Sequence, residues 1–372
     1  ALLPLLGLSL LSGSRSVYFY AAALTLWLLF WSRLQTGGQR LRILRLAGLL
    51  LPALLCLQWA IGAVNPGGAS VSSAQRLLAS GSYDPVRLTL WQAAADIFLD
   101  HPLLGAGFDS YSREFFARIE RFPLGGIGIP EHAHNLVAEF AAELGIAGLL
   151  ALFAAAGAWL SAWRRVADDA GLLALGVLLV LGIHSALEYP LWYAHFLAIA
   201  AFMLALGDGK RWSVTLSRFR QGALIGLAAL AFAALFVLRH DYVRLEAATQ
   251  GRHADGTPLP PAIRSEWLAE SYAHSLWRPY AALQLAAHMP LAGDDAALRL
   301  AIVDEAVRFS PIRSAVFRHA ALLQLAGETE AAHARLRQAM RAYPDEIDAA
   351  RKMMEAALPD APALAPLLEQ LR

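Results

Sequence analysis

Residues 130–163 read PEHAHNLVAEFAAELGIAGLLALFAAAGAWLSAW and contain both features on which the fold depends. The part from residue 144 onward is an apolar run of about 20 residues, the length of a helix that crosses a bilayer core. The part before it holds two histidines and three glutamates. A charge at the centre of a membrane helix costs roughly 2.5–3.5 kcal/mol. We therefore expect these polar side chains to lie at the membrane edge and to face the protein interior.

Five more apolar runs have the same character. Each spans roughly 16–20 residues, and none has the polar face that a helix on the surface of a soluble protein shows. The chain of 372 residues is 57% hydrophobic and only 16% charged, whereas soluble proteins carry about 25% charged residues. We predict an all-α protein whose residues 1–239 form a polytopic helical membrane domain. The further runs lie at about 17–32, 46–64, 171–187, 190–206 and 222–238.

Basic residues between the runs predict the orientation of the chain, because short cytoplasmic loops are enriched in Lys and Arg. Three basic clusters alternate correctly for one side of the membrane. The opposite side then holds the loop 65–133 and everything after about residue 240. In a bacterium this is a multi-pass inner-membrane protein with a periplasmic tail. The clusters are Arg33, Arg40, Arg42 and Arg45; Arg164 and Arg165; and Lys210, Arg211, Arg218 and Arg220.

The tail, residues 240–372, has the pattern of short helices joined by short loops. Two segments recur at a spacing of 33 residues, which is close to the period of tetratricopeptide (TPR) repeats. We predict a soluble, TPR-like helical domain on the periplasmic side. A plain helical bundle is the alternative. The matched positions are Val303, Ala306 and Pro311 in the first unit and Leu336, Ala339 and Pro344 in the second.

Composition also excludes some classes. The net charge of +1 argues against a nucleic-acid partner, since nucleic-acid binders carry a strong basic excess. The single cysteine, Cys56, cannot form an internal disulfide. The chain begins with Ala1 inside an apolar stretch too short to span, so we expect a fragment or a processed chain.

Two arginines stand next to predicted membrane segments on the periplasmic side. Ser14-Arg15 precedes the first full span, and Arg87 begins an amphipathic segment, 87–99, that is suited to lie in the membrane interface. Arginine stays charged and presents a planar fork to phosphate, so either could bind an anion. Contact with lipid headgroups is the alternative. The segment 101–107, HPLLGAG, is predicted to be a turn that ends the amphipathic helix.

The polar stretch before the membrane helix is the strongest candidate for chemistry. At helical spacing Asn135, Glu139 and Glu143 lie near one stripe. A histidine at such an entrance can act as a general base, because its pKa lies near the working pH. A metal site is the rival interpretation. His132 and His134 are two residues apart, which is a poor spacing for chelation from a helix, and no third His or Cys ligand is obvious nearby.

A second polar group ends the fourth full span. His184 and Glu188 are four residues apart, on one face of a helix, and can pair. This pair could connect two spans and support the candidate site.

Taken together, these segments resemble the O-antigen ligase/polymerase superfamily of bacterial inner-membrane glycosyltransferases. Their order, spacing and predicted side of the membrane match. The stretch 184–191, HSALEYPL, with a final span and a helical tail, looks like the branch that contains pilin-type O-oligosaccharyltransferases. The elements are Ser14-Arg15, Arg87 with Trp91, His101 to Gly107, and His134-Asn135-Leu136 with Glu143-Leu144-Gly145.

The resemblance implies a function and roles for these residues. Such enzymes move a glycan from undecaprenyl diphosphate to a hydroxyl on the periplasmic face. His134 would be the base on that hydroxyl, and Arg15 and Arg87 would hold the diphosphate. His132, Asn135, Glu139, His184 and Glu188 would support them. No metal or other cofactor is implied, and no Asp-x-Asp pair occurs in the membrane or loop segments. The family normally has further helices before the Ser-Arg element, which agrees with a fragment.

Three acceptors fit this reaction, in addition to contacts with membrane lipids. A protein serine or threonine, as in a pilin, defines an O-oligosaccharyltransferase. Lipid A core defines a ligase, and another repeat unit defines a polymerase. The large periplasmic tail favours the protein acceptor by analogy alone. A non-catalytic scaffold or a transporter is the alternative of another class.

Overall fold

The computed structural model describes residues 16–64, 85–122, 128–162, 169–207 and 217–372. These residues form helices and loops, with one isolated antiparallel bridge between Arg252 and Pro258. The helices are α1 (Ser16–Ser32), α2 (Gly37–Val64), α3 (Pro85–Asp100), α4 (Tyr111–Ala117), α5 (Leu136–Ala162), α6 (Asp169–Ser185), α7 (Ala194–Gly207), α8 (Arg218–Gln250), α9 (Pro261–His274), α10 (Arg278–His288), α11 (Ala296–Phe309), α12 (Arg313–Leu325), α13 (Thr329–Ala342), α14 (Ile347–Ala357) and α15 (Ala365–Gln370).

The chain divides into two compact units. The first comprises Ala1–Phe108 and His132–Arg211, and the second comprises Asp109–Glu131 and Trp212–Arg372. The segment 109–131 thus belongs with the tail, although the sequence places it in a loop of the membrane domain.

Within the described residues, six apolar helices correspond to the six predicted runs. Three of them are long and apolar enough to cross a membrane, namely Gly37–Ile61, Leu136–Ser161 and Arg218–Gln250. Three shorter ones are equally apolar, namely Ser16–Ser32, Ala170–Ser185 and Ala194–Gly207. The all-helical class and the apolar helices of a membrane protein are confirmed.

Helix α1 packs along α2 at both of its ends. Near its start, Val17 and Ala21 contact Leu54 of α2. Near its end, Trp27 and Trp31 contact Ile43 of α2 and Leu175 of α6. The two helices are therefore antiparallel, and α6 joins them at the end of α1.

Helix α5 is broken at Gly145, the second residue of the apolar run that the sequence predicted to be a membrane span. Gly145 has φ 62° and ψ −155°, which is not helical. The turn 101–107 docks against this break through four backbone hydrogen bonds. The N–H groups of Ala106 and Gly107 donate to the carbonyls of Ala142 and Glu143, at 2.9 and 3.0 Å. In the other direction, Ile146 and Ala147 donate to Pro102 and Leu103, at 2.8 and 3.1 Å.

Two glycines make this docking possible. Gly145 has a positive φ, and a Cβ there would lie 2.6 Å from the backbone nitrogen of Gly105. Gly105 also has a positive φ, and a Cβ there would overlap the Glu143 carbonyl group. Backbone atoms cannot move aside as a flexible side chain can, so both positions require glycine.

We predict that Gly145→Ala destabilises the protein strongly, because the new methyl group meets backbone and the dihedral angles exclude an L side chain. Gly157→Ala is the matched control, since a Cβ at Gly157 of the same helix meets nothing within 4 Å. Thermal unfolding of the purified protein in detergent measures the difference. We expect a drop in midpoint of several degrees or more for the first variant and little change for the second. Equal midpoints would contradict the docked turn.

The tail contains helices α9 to α15, and each consecutive pair from α9 to α13 packs together. Small residues line the contacts and let the helices approach closely. Val303, Ala306, Leu336 and Ala339, four of the positions that recur at a spacing of 33, are completely buried. Their burial agrees with a repeat of two helical units, and the TPR-like class stays a prediction.

Residues 109–122 cover one face of α13 in the tail. Tyr111, Phe115, Phe116 and Ile119 have almost no exposed surface. The backbone of the segment is held by polar contacts from the helix. Arg341 donates to the carbonyl of Phe122 at 2.5 Å, Gln338 donates to that of Ala117 at 3.1 Å, and Arg337 pairs with Glu120 at 3.1 Å. The tail and this segment therefore fold as one body.

The tail also buries a histidine. His319 of α12 has 3% of its side chain exposed. Burial, together with the nearby charges of Arg335 and Arg308, lowers its pKa to about 3. Its Nε2 lies 3.6 Å from Asp304, which is too far for a hydrogen bond that would offset burial. The folded tail therefore holds this imidazole neutral.

We predict that the tail loses stability as the pH falls below about 6.5, because the unfolded imidazole then takes up a proton that the folded state excludes. The loss is up to about 1.4 kcal/mol per pH unit from this group. Thermal unfolding of the full chain at pH 7.5 and 5.5 measures it. His319→Gln should flatten the pH dependence, whereas the exposed His288→Gln should not. A pH dependence unchanged by His319→Gln would contradict the assignment.

Candidate functional site

The candidate site is built around the carboxylate of Glu188, in the short segment between α6 and the 3-10 turn Pro190–Trp192. Its Oε1 accepts a hydrogen bond from Nη2 of Arg87 at 2.6 Å. Its Oε2 lies 2.5 Å from Nδ1 of His134. The three side chains are each about one third exposed. A single carboxylate thus joins two residues that are far apart in the sequence, at an edge that solvent reaches.

Glu188 is ionised at neutral pH. Burial raises the pKa of its carboxyl group, but the hydrogen bond from His134 and the charges of His134, Arg87 and His184 outweigh burial and lower the pKa overall. An ionised carboxylate has no proton to donate. Nδ1 of His134 must therefore carry the proton of that bond, so that in the neutral form of the imidazole the lone pair is on Nε2.

The backbone of His134 is in an unusual conformation. Its φ is 52°, in the left-handed region, which costs an L residue roughly 1–2 kcal/mol. The next residue, Asn135, caps α5, since its Oδ1 accepts from the N–H groups of Val137 and Ala138 at 2.9 and 3.1 Å. Asn135 therefore lies at the start of the helix rather than within the predicted inward stripe. Such strain is typical of residues whose direction matters for function.

Glu139 holds the loop that carries His134. Its Oε2 accepts from the backbone N–H of Ala133 at 2.5 Å, and its Oε1 lies 3.0 Å from Nδ1 of His132. Glu139 is 2% exposed and His132 is 7% exposed. The ring of His132 also packs on Tyr189 and Trp192, with centroids 4.5 and 5.1 Å apart. His132 is thus buried and packed against aromatic rings, and His134 is the histidine that meets Glu188.

His184 lies beside the site but does not pair with Glu188 through its side chain. Its ring packs against Tyr20 and Phe196, with centroids 5.9 and 5.7 Å apart. Its carbonyl accepts from the N–H of Glu188 at 2.8 Å. The expected side-chain pair at i, i+4 is replaced by this backbone bond, because the carboxylate turns to Arg87 and His134.

The structure describes only some of the other residues predicted for the site. Glu143 is buried, with 2% of its surface exposed, as the inward stripe predicted. Ser14, Arg15 and all of residues 65–84 of the predicted loop lie outside the described residues. Among the residues that the structure describes, no three His, Cys, Asp or Glu side chains stand together as a metal site.

Sequence reasoning missed the role of Tyr189 and Trp192. Tyr189 packs on His132 and also meets His134 edge-on, with centroids 4.9 Å apart. Both aromatic residues belong to the stretch 184–193, HSALEYPLWY, which also supplies Glu188. The sequence signal for these two residues was a cluster of aromatic residues around a proline between two predicted spans. A short turn at such a place must pack against neighbouring side chains.

Two family models match the chain. One is described as "Virulence factor membrane-bound polymerase, C-terminal" and matches residues 172–357, half of the chain. The other is described as "O-Antigen ligase" and matches residues 1–153. The chain therefore belongs to the O-antigen ligase/polymerase superfamily, whose members are membrane-bound glycan-transferring enzymes. The family implies a lipid-linked glycan as substrate and a separate acceptor. No curated protein and no solved structure matches the chain.

We predict that Glu139→Ala lowers the stability of the protein, because it leaves the buried N–H of Ala133 without its acceptor. An unsatisfied buried donor costs about 1–3 kcal/mol. Thermal unfolding in detergent measures the loss. Glu131→Ala is the matched control, since Glu131 is exposed in the same loop. If both variants unfold at the temperature of the unchanged protein, Glu139 does not hold the loop.

Proposed function

We propose that this protein transfers a glycan from undecaprenyl diphosphate to a serine or threonine hydroxyl of a protein, as an O-oligosaccharyltransferase. The observation that carries the proposal is the ionised Glu188, which binds both Arg87 and His134. It brings a base for a hydroxyl and a cation for a phosphate into one site. The arginine distribution of the loops supports a place in a bacterial inner membrane with the site facing the periplasm.

His134 is the general base of this reaction. Its Nε2 accepts the proton of the acceptor hydroxyl while the hydroxyl oxygen attacks the anomeric carbon of the glycan. The bond from that carbon to the diphosphate oxygen breaks, and its electron pair leaves with undecaprenyl diphosphate. A single displacement of this kind inverts the anomeric centre. Glu188 keeps the proton of the imidazole on Nδ1 and so keeps Nε2 ready to accept.

The charges of the site change in step with the reaction. The form of His134 that acts as a base is the neutral imidazole, and in that form the three groups carry no net charge, because Glu188 and Arg87 offset each other. Once His134 has taken the proton, the group carries one positive charge. The leaving diphosphate gains negative charge at the same moment, and an arrangement that is complementary to the developing charge lowers the barrier.

Arg87 and Arg15 bind the diphosphate in this proposal. A guanidinium has five N–H donors, so the bond from Arg87 to Glu188 occupies only part of its capacity. Arginine can stabilise a diphosphate without a metal ion, and we propose that transfer needs none. An inert scaffold would have no use for this combination of a strained histidine, a carboxylate and an arginine.

The choice of a protein acceptor rests on the large helical tail, which offers a surface on which a folded protein can dock. The family descriptions name a polymerase and an O-antigen ligase. A glycan repeat unit and lipid A core are therefore the alternative acceptors.

We predict that His134→Ala lowers transfer by about 10²–10⁴-fold, the usual contribution of a general base. The assay supplies lipid-linked oligosaccharide to cells that carry the protein, with a pilin-like acceptor, lipid A core or repeat unit in separate arms. Arg87→Gln and Glu188→Gln should each lower transfer at least about tenfold. His195→Ala and Arg113→Gln are the matched controls, since both side chains are exposed and lie outside the proposed site.

Each result has a defined meaning. Full transfer in His134→Ala would overturn the base, and full transfer in both Arg15→Gln and Arg87→Gln would overturn the diphosphate site. Transfer to lipid A core or repeat unit alone would replace the acceptor but keep the reaction. Retention at the anomeric centre would exclude a single displacement, and loss of transfer on chelation of metal ions would exclude a metal-free reaction.

A further inference from the structure

A large apolar groove runs between α1, α2, α6 and α7 of the first unit, from Phe196, which packs on His184 beside the candidate site, to the start of α2. Its volume is about 980 Å³. Aliphatic and aromatic side chains form nearly all of its lining, among them Leu24, Trp27, Val177, Val180 and Phe196. A groove of this lining on apolar helices suits a hydrocarbon chain.

One end of the groove is polar and basic. Gly38, Gln39 and Arg42, at the start of α2, complete its lining. The described segment 16–64 contains four arginines and no acidic residue. All four, namely Arg33, Arg40, Arg42 and Arg45, are exposed, and none forms an ion pair within the part of the chain that the structure describes. This end of the groove therefore has an uncompensated positive charge.

The charged end lies far from the candidate site along α1. Tyr20 contacts His184 beside the site, whereas Trp31 contacts Ile43, the residue after Arg42. Eleven residues of helix separate Tyr20 from Trp31, which is about 16 Å at 1.5 Å per residue. A diphosphate on Arg42 would thus be too far from His134 to react.

We propose that this groove binds an anionic phospholipid of the leaflet opposite the candidate site. One acyl chain lies among the apolar residues between α1 and α6, and the phosphate meets the guanidinium of Arg42 beside Gln39. Arginine suits this role because its planar fork donates two parallel hydrogen bonds to a phosphate. The lipid bridges helices α1, α2 and α6 and so stabilises their packing. The site is independent of the transfer reaction proposed above.

Native mass spectrometry of the full chain in detergent tests the site, with phosphatidylglycerol and phosphatidylcholine as probes. We expect phosphatidylglycerol to bind more tightly. Arg42→Gln should weaken its binding at least about fivefold, the contribution of one arginine near a lipid phosphate. Arg45→Gln is the matched control, since it removes the same charge from the same helix outside the groove lining, and it should change binding less than about twofold.

A second pair of variants tests the acyl chain. Val177→Trp fills the groove and should abolish preferential binding of phosphatidylglycerol. Leu150→Trp adds the same side chain at an exposed position of α5 outside the groove and should leave binding unchanged. Circular dichroism of each variant reports whether the helices are intact. If Val177→Trp fails to fold, the comparison of Arg42→Gln with Arg45→Gln tests the proposal instead.

Several outcomes would overturn the proposal. Equal binding of the two phospholipids would exclude recognition of the phosphate charge, and so would equal loss in Arg42→Gln and Arg45→Gln. Displacement of phosphatidylglycerol by inorganic phosphate would show a phosphate site that needs no acyl chain. Displacement by an equal concentration of undecaprenyl phosphate would assign the groove to the carrier lipid.

Discussion

Four backbone hydrogen bonds between the turn 101–107 and the broken helix α5 hold the site of this membrane protein together. A break in a membrane helix frees N–H and C=O groups that lipid cannot satisfy. The turn supplies both partners, since its carbonyls accept from Ile146 and Ala147 and its N–H groups donate to Ala142 and Glu143. The break is therefore tolerated only because the turn fills it.

The same docking fixes the two chain segments that carry Arg87 and His134. Helix α3 runs from Arg87 to the turn, and the chain from His134 to Gly145 runs beside it in the same direction. The two ends at the turn meet through the backbone bonds, and the two ends at the site meet through Glu188. A helix pair fixed at both ends has little freedom to slide, so the guanidinium and the imidazole keep their places relative to each other. This is the rigidity that the proposed proton transfer to His134 requires.

Electrostatics at the site follows from this geometry. The carboxylate of Glu188 is partly buried, yet two cationic or proton-donating partners keep its pKa low. Its charge then determines which nitrogen of His134 holds the proton. Glu139 has a similar structural role deeper in the protein. It binds Ala133 and His132, while the strained His134 contacts Glu188. The two histidines of the stretch 131–136, EHAHNL, thus have different partners and different roles.

Much of the fold and part of the candidate site could be predicted from the sequence. The length of the apolar runs predicts six membrane helices, because a bilayer has a fixed thickness. The cost of a charge inside the membrane identifies Arg87, His134, Glu139 and Glu188 as candidate functional residues.

The side chains with which these residues pair could not be predicted from the sequence. Glu188 stands four residues after His184, and local spacing favours that pair, but the carboxylate turns to two residues 54 and 101 positions away. Likewise, Gly145 is one small residue in an apolar run. The break in α5 at this residue can be recognised only in the folded structure, where the turn 101–107 lies against it. Periodicity and composition depend on each residue and its near neighbours along the chain. A hydrogen bond between distant segments depends on how helices pack, and only the folded chain brings those atoms within reach.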